Sequence, residues 1–293
     1  MTEISTREPL VLQLLAELDV SAASGLVLRD DTLWVVADDE LALTGYDRAG
    51  RRTRELRLLG GALPDAAAAR KAHKPDLEAL LELPDGTLLA LGSGSTPARR
   101  RGVWVQVASG SSRVVDLSQL YLRLERELPE LNIEGGALLG ETLYLSSRGN
   151  GARRQNALIQ LAWPECARAL RESRALPVDA LRSISAVKLG ELTGQALGFT
   201  DLAVSGDRLL FTAAAEASPN TYEDGACAGS AVGVLSPQGE VQDLVPLAGS
   251  WKIEGLWAAP AADAFELWLV ADPDERSARA PLLTTSYRPQ LRT

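Results

Sequence analysis

The chain has 293 residues, a formal net charge of −9, one histidine, two cysteines and 46% hydrophobic residues. This length suffices for one large domain or two small ones with a sizeable core, whereas His73, Cys166 and Cys227 are too few for a zinc site of the usual cysteine and histidine types. The acidic balance argues against a nucleic-acid partner, and the absence of a run of about 18 apolar residues argues against a membrane partner.

The N-terminal segment predicts one strand and no targeting signal. Residues 1–15 lack the basic stretch and the continuous apolar stretch of a signal peptide, so we expect a cytoplasmic protein. Residues 10–18 favour a strand, but the sequence next to them offers it no partner.

Five short segments that share a register follow in chain order. Each contains a polar, oxygen-bearing residue and continues into an apolar run, a tight polar turn and a second apolar run, which is the pattern of a β-hairpin. The polar residues are Ser24, Glu78, Glu134, Asp201 and Glu254. They lie about 53 to 67 residues apart, a length typical of one four-stranded propeller blade.

These units predict an all-β fold, a five-bladed β-propeller with four-stranded blades that forms a single domain over residues 1–293. The blades begin near residues 24, 78, 134, 201 and 254. Residues 117–128 have the apolar spacing of an amphipathic helix, and residues 163–179 indicate a second short helical insertion. Because only about three strands can follow Glu254, we expect the N-terminal strand to complete the last blade and close the ring.

The five polar residues are expected to converge, because the innermost strand of every blade lines the axis. Carboxylates gathered there would repel one another, by about 4 kcal/mol for two charges about 4 Å apart at an effective dielectric near 20. A calcium ion or a similar hard divalent cation would compensate them. Two alternatives stay open: Lys74 and Lys252 neutralise the acids without a metal, or the acids start strands in solvent at the blade rim.

The register resembles that of the calcium-activated nucleotidase (apyrase) family, whose members are five-bladed propellers with an axial calcium. The matching segments are Ser24-Gly25-Leu26, Leu77-Glu78-Ala79-Leu80, Ile133-Glu134-Gly135, Phe199-Thr200-Asp201 and Lys252-Ile253-Glu254-Gly255-Leu256. Asp201 departs from the pattern, standing where the family has a serine. The glutamate–glycine strand starts also resemble those of gluconolactonase and phytase-like propellers, and the whole chain is similar to a bacterial propeller family of that neighbourhood. The resemblance implies calcium at Ser24, Glu78, Glu134, Asp201 and Glu254, and hydrolysis of a phosphate ester or anhydride.

Loops that follow the second strand of each unit are expected to form a funnel above the axis. Arginine forks and backbone donors suit a small phosphate- or carboxylate-bearing ligand. The candidate ligand-binding residues are Ser93, Arg148, Asn150, Arg154 and Asn220. The candidate general bases, or ligands of a second metal, are Asp38, Asp39, Glu216 and Asp272.

The sequence therefore leaves three functions open for a monomer that holds a calcium-type ion and a small anionic ligand. The first is metal-dependent hydrolysis of a phosphate ester or anhydride. The second is a non-catalytic propeller with a structural ion that binds a metabolite or a protein. The third, lactone or ester hydrolysis, needs an acid–base pair directly above the metal.

Overall fold

Hairpins with tight turns dominate the computed structural model, which describes residues 7–149, 154–216, 225 and 227–291. Positive φ angles at Asp31, Gly86, Gly140 and Gly206 mark turns between the first and second strands of successive repeats, at residue types that tolerate this conformation. Five antiparallel sheets result, and they confirm the predicted all-β, five-bladed propeller. We number the sheets blade 1 to blade 5 in chain order of their inner strands.

Four strands build each of the first three blades. One strand precedes the repeats: β1 (Gln13–Leu18). Blade 1 contains β2 (Ala23–Arg29), β3 (Thr32–Ala37), β4 (Ala42–Tyr46) and β5 (Arg52–Arg57). Blade 2 contains β6 (Leu77–Glu82), β7 (Leu88–Gly92), β8 (Arg101–Gln106) and β9 (Ser111–Asp116). Blade 3 contains β10 (Ile133–Leu139), β11 (Thr142–Ser147), β12 (Asn156–Ala162) and β13 (Leu181–Val187).

The last two blades differ from the others in their outer strands. Blade 4 gains a fifth strand and contains β14 (Glu191–Leu192), β15 (Gln195–Ser205), β16 (Arg208–Glu216), β17 (Cys227–Leu235) and β18 (Val241–Pro246). Blade 5 contains β19 (Lys252–Ala261), β20 (Ala264–Asp272) and β21 (Ala280–Tyr287). β1 pairs antiparallel with β21, with Leu18 opposite Ala280, and thereby completes blade 5. The predicted closure of the ring by the N-terminal strand is confirmed.

Three α-helices interrupt the strands of the described residues. They are α1 (Ala67–His73), α2 (Ser118–Leu124) and α3 (Trp163–Glu172). The sequence predicted α2 and α3 but not α1, which forms in an alanine-rich stretch of high helix propensity and ends in the basic residues Arg70, Lys71 and His73. None of the helices in the described part of the chain is long and apolar enough to cross a bilayer.

The core lies between neighbouring blades rather than in a single centre. Because side chains alternate along a strand, β3 serves two interfaces. Trp34 and Val36 pack with blade 2, whereas Leu33 and Val35 pack with blade 5. Each sheet is therefore covered on both faces, and its inner strand is held at a fixed distance from the axis.

Candidate functional site

A β-bulge recurs at one position of all five inner strands. Strand pairing skips Ser24, Glu78, Glu134 and Glu254 in blades 1, 2, 3 and 5, and it skips Thr200 in blade 4. A bulge redirects the side chain of the unpaired residue. Ser24, Glu78, Glu134 and Glu254 all line one cavity of about 70 Å³, to which every blade contributes.

Asp201 occupies a different position from the other four predicted ligands. It lies one residue beyond the bulge, pairs with Thr212 and is fully buried outside the cavity lining. Its two carboxylate oxygens accept hydrogen bonds from the backbone N–H groups of Leu202 and Leu256, each at 2.7 Å. Burial raises the pKa of Asp201, while these two N–H groups lower it. Asp201 thus ties blade 4 to blade 5.

The residue after the bulge is small in the other four blades. These residues are Gly25, Ala79, Gly135 and Gly255. A Cβ on Gly135 would lie 2.5 Å from the Leu202 amide nitrogen, so the inner strands of blades 3 and 4 touch at this level. Ser24 also bridges blades, since its hydroxyl donates to the Leu77 carbonyl at 2.5 Å. The backbone that carries the bulged residues is consequently packed tightly against the neighbouring blade.

A second set of lining residues lies two positions before each bulge. The residues at this position are Ala22, Asp76, Asn132, Gly198 and Lys252. Four of them line the cavity, and Gly198 does not. Each faces a residue at the end of the neighbouring strand, for example Arg148 opposite Asn132 and Asp272 opposite Lys252. Sequence reasoning missed Asp76 and Asn132 as site residues, although the two-residue period of a strand leads to them from the bulge.

Arg148 lies among three carboxylates from three blades. Its Nη1 is 3.5 Å from Glu134 Oε2 and 3.3 Å from Glu254 Oε1. Its Nη2 is 2.5 Å from Glu216 Oε2. Burial lowers the pKa of Arg148, but the three acids raise it above its usual value. The guanidinium that the sequence assigned to an external anion is therefore bound by carboxylates of the protein itself.

Lys252 is the second buried cation on this side of the cavity. Its Nζ lies 2.6 Å from Asp274 Oδ1 and 3.5 Å from oxygens of both Glu254 and Asp272. Burial raises the pKa of Asp272 to about 7, against the opposing effect of Lys252. The other oxygen of Glu254, Oε2, is buried and has no hydrogen-bond partner among the described residues.

Three carboxylates cluster on the opposite side of the cavity. Oxygens of Asp38, Asp76 and Glu78 all lie within 4.8 Å of one another. Burial raises the pKa of Asp38 to about 6 and that of Glu78 well above its usual value, and the neighbouring acids reinforce the effect on Glu78. Asp76 adopts a positive φ of 55°, a strained conformation that is found more often at functional sites.

Two cations contact this cluster, which we call the acidic triad. Lys74 Nζ forms ion pairs with Asp38 and with Asp76, the latter at 3.1 Å. Arg99 Nη1 lies 2.8 Å from Asp76 Oδ2, which also accepts a hydrogen bond from Ser93. Glu78, in contrast, makes no hydrogen bond or ion pair with any described residue. One member of the triad therefore faces the cavity with its carboxylate unpaired.

The other predicted site residues differ in their position relative to the cavity. Glu216, Asp38 and Asp272 line the cavity, whereas Asp39 binds Arg70 of α1 at 3.1 Å outside it. Arg154 is exposed and does not line the cavity. Asn150 and Asn220 lie outside the described residues.

The lining has an excess of negative charge. Among the described residues, seven acidic and five basic side chains line the cavity, and their formal charges sum to −2 when all are ionised. Burial is the main cause that raises the pKa of the carboxyl groups of Asp38, Glu78, Glu134 and Asp272, and neighbouring acids add to it.

Comparison with known proteins provides a family. Residues 19–286 match the model of a family described as "Family of unknown function (DUF6929)". No curated protein matches the sequence.

Several solved structures are similar to this chain at low sequence identity. Virginiamycin B lyase from Staphylococcus aureus is 13% identical, with a TM-score of 0.44, over 93% of this chain and 98% of that chain. A candidate gluconolactonase is 12% identical, with a TM-score of 0.44, over 97% and 94%. Arabinanase from Bacillus subtilis is 10% identical, with a TM-score of 0.49, over 94% and 97%. Identities this low carry no conclusion about activity.

Proposed function

The chain belongs to the DUF6929 family, and we propose that it binds a hard divalent cation of the calcium type in its axial cavity. The observation that carries this proposal is the acidic triad, in which one oxygen from each of three carboxylates lies within 4.8 Å of the others and Glu78 makes no hydrogen bond or ion pair with any described residue. Carboxylate oxygens are the ligands that calcium and magnesium prefer. Burial and, to a smaller extent, neighbouring acids raise the pKa of Asp38 and Glu78, and a bound divalent cation would favour the charged form of both carboxyl groups.

The proposed site is off the five-fold centre expected from the sequence. Arg148 and Lys252 already pair with Glu134, Glu216 and Glu254. On this side of the cavity, basic side chains therefore neutralise the acids without a metal, as in the first alternative from the sequence. Asp38, Asp76 and Glu78 are the proposed protein ligands. Glu134 and Glu254 line the same cavity and lower the potential around the ion. Ser24 and Asp201, which bind backbone groups, are left out of the proposed ligand set.

A small anionic ligand would complete the coordination of the cation from the mouth of the funnel. The cavity of about 70 Å³ has room for an ion and one or two small groups, so a phosphate or carboxylate group would enter while the rest of the ligand stays outside. Asp272, with its pKa raised to about 7, is the proposed general base, since it exchanges its proton near neutral pH. The resemblance to calcium-activated nucleotidases supports a phosphate ester or anhydride as the substrate.

A non-catalytic propeller with a structural ion is the second candidate. It is favoured by the engagement of Arg148 and Lys252 with internal carboxylates, which leaves these two cations poorly placed for a substrate. We keep for both candidates the expectation of a cytoplasmic monomer without a nucleic-acid or membrane partner. A screen of nucleoside phosphates, phosphate monoesters and lactones with added calcium separates them, because only the enzyme releases product.

Calorimetric titration and thermal unfolding with calcium, magnesium and manganese test the cation site directly. Saturation at about 100 times the dissociation constant would stabilise the fold by about 2.7 kcal/mol. Glu78→Gln and Asp76→Asn should each abolish the cation-induced rise in melting temperature. Glu82→Gln is the matched control, because Glu82 lies on the same strand but is exposed and pairs with Arg29. If no divalent cation binds the wild-type protein, the proposal is wrong.

A further inference from the structure

Lys74 fills the space between two members of the acidic triad. It follows α1 directly, and its backbone N–H donates to the Arg70 carbonyl at 2.7 Å. Its side chain is 15% exposed and reaches into the cavity, where the ammonium contacts oxygens of Asp38 and Asp76. These two carboxylates are also proposed ligands of the bound cation, so the ammonium and the cation compete for them.

The other cations of the cavity are held differently. Arg99 contacts the second oxygen of Asp76 and is also fixed by Ser95 Oγ at 2.8 Å and by the Lys71 carbonyl at 3.0 Å. Lys252 is bound on the far side by Asp274. Lys74 is a point charge on a flexible four-carbon chain, and its described ammonium partners are the triad aspartates. Of the two described cations that contact the triad, Lys74 is therefore the one with fewer partners outside it.

We propose that Lys74 is an internal counter-ion that competes with cations for the acidic triad, so that monovalent ions do not displace it and divalent ions do. This inference rests on the proposed function. A sodium or potassium ion brings no more charge than the ammonium it would displace, and it must also lose its own hydration. A divalent ion brings twice the charge to the same oxygens, so its attraction to the triad exceeds that of the ammonium.

The test compares cation binding in wild-type protein, Lys74→Met and Lys74→Arg, with Lys74→Gln as a second neutral variant if Lys74→Met does not fold. The wild-type melting temperature should be the same in sodium chloride and in tetramethylammonium chloride, whose cation is too large for the cavity. In Lys74→Met, sodium should raise the melting temperature, and the calcium dissociation constant should fall roughly tenfold or more, because one competing charge is gone. Lys74→Arg keeps the positive charge and should behave as wild type. Lys188→Met, which changes the net charge equally away from the cavity, should behave as wild type.

The possible outcomes separate the two proposals. Wild-type protein that binds no divalent cation overturns the proposed function and this inference together. Wild-type protein that binds calcium, combined with an unchanged calcium affinity and no sodium response in the neutral Lys74 variants, overturns the counter-ion role alone. A sodium response that also appears in Lys188→Met would show a general charge effect and would likewise overturn it.

Discussion

The side chain of Arg148 lies directly against the bare Cα of Gly198: a methyl group at Gly198 would come within 2.8 Å of Arg148 Cγ. Gly198→Ala should therefore displace the guanidinium from its three carboxylate partners and lower the free energy of unfolding by about 1 to 3 kcal/mol. Urea denaturation measures this loss. Gly60→Ala is the control, because no atom lies within 4 Å of its added methyl group. Equal losses in both variants would contradict the packing argument.

Removal of the guanidinium itself should cost more, and the cost should depend on pH. Arg148→Met leaves three buried carboxylates without their shared cation, and breaking such a pair costs about 3 to 5 kcal/mol. Burial already raises the pKa of Glu134 to about 8 despite Arg148, so the acids of the variant take up protons more readily. The loss should consequently be larger at pH 8.5 than at pH 5.5. Denaturation at both pH values checks this, with the exposed Arg154→Met as the control expected to change little; a pH-independent loss would contradict it.

Asp201 should matter for stability and not for cation binding. Asp201→Ala leaves the buried N–H groups of Leu202 and Leu256 without acceptors, at about 1 to 3 kcal/mol for each. Asp201→Asn keeps one carbonyl acceptor and should lose less. Because Asp201 does not line the cavity, calcium should bind both variants as it binds the wild type. A loss of calcium affinity in a folded Asp201 variant would return this residue to the ligand set.

The stability of the cation-free protein should fall as pH rises above about 4. The pKa is raised to about 6 in Asp38, about 7 in Asp272 and about 8 in Glu134, whereas the same groups in the unfolded chain titrate near 4. Between the pKa of each group in the unfolded chain and its raised pKa in the folded protein, the folded state binds more protons than the unfolded state. Each added pH unit in this range therefore lowers the free energy of unfolding. Urea denaturation in the presence of a chelator at pH 5 to 8.5 measures how the free energy of unfolding changes with pH. A free energy of unfolding that rises across this range would contradict the prediction. Added calcium should flatten the slope.

Much of the fold could be predicted because it depends on local signals that recur. Turn residues at the same distance from apolar runs define the hairpins, and their repetition defines the blades. The closure by β1 followed from counting strands after Glu254. Helix α1 was missed because seven residues are too few for a stable isolated helix even at high helix propensity, and the contact between Arg70 and Asp39 of blade 1 is not visible in the sequence.

The site could be predicted only in part, because its chemistry depends on contacts between distant segments. A bulge shifts the strand by one residue, and the sequence Thr200-Asp201 does not say which residue is left unpaired. Arg148 stands in a polar loop that suits anion binding. Only the folded structure shows that the guanidinium of Arg148 donates to Glu216 and Glu254, which lie far along the chain.

The backbone repeats five times around the axis, but the side chains at the bulges do not. The bulged residue is a carboxylate in blades 2, 3 and 5 and a hydroxyl in blades 1 and 4. The cavity lining is therefore unequal around the axis, because Ser24, Glu78, Glu134 and Glu254 line it and Thr200 does not. A backbone of approximate five-fold symmetry thus carries an asymmetric distribution of charge around its axis.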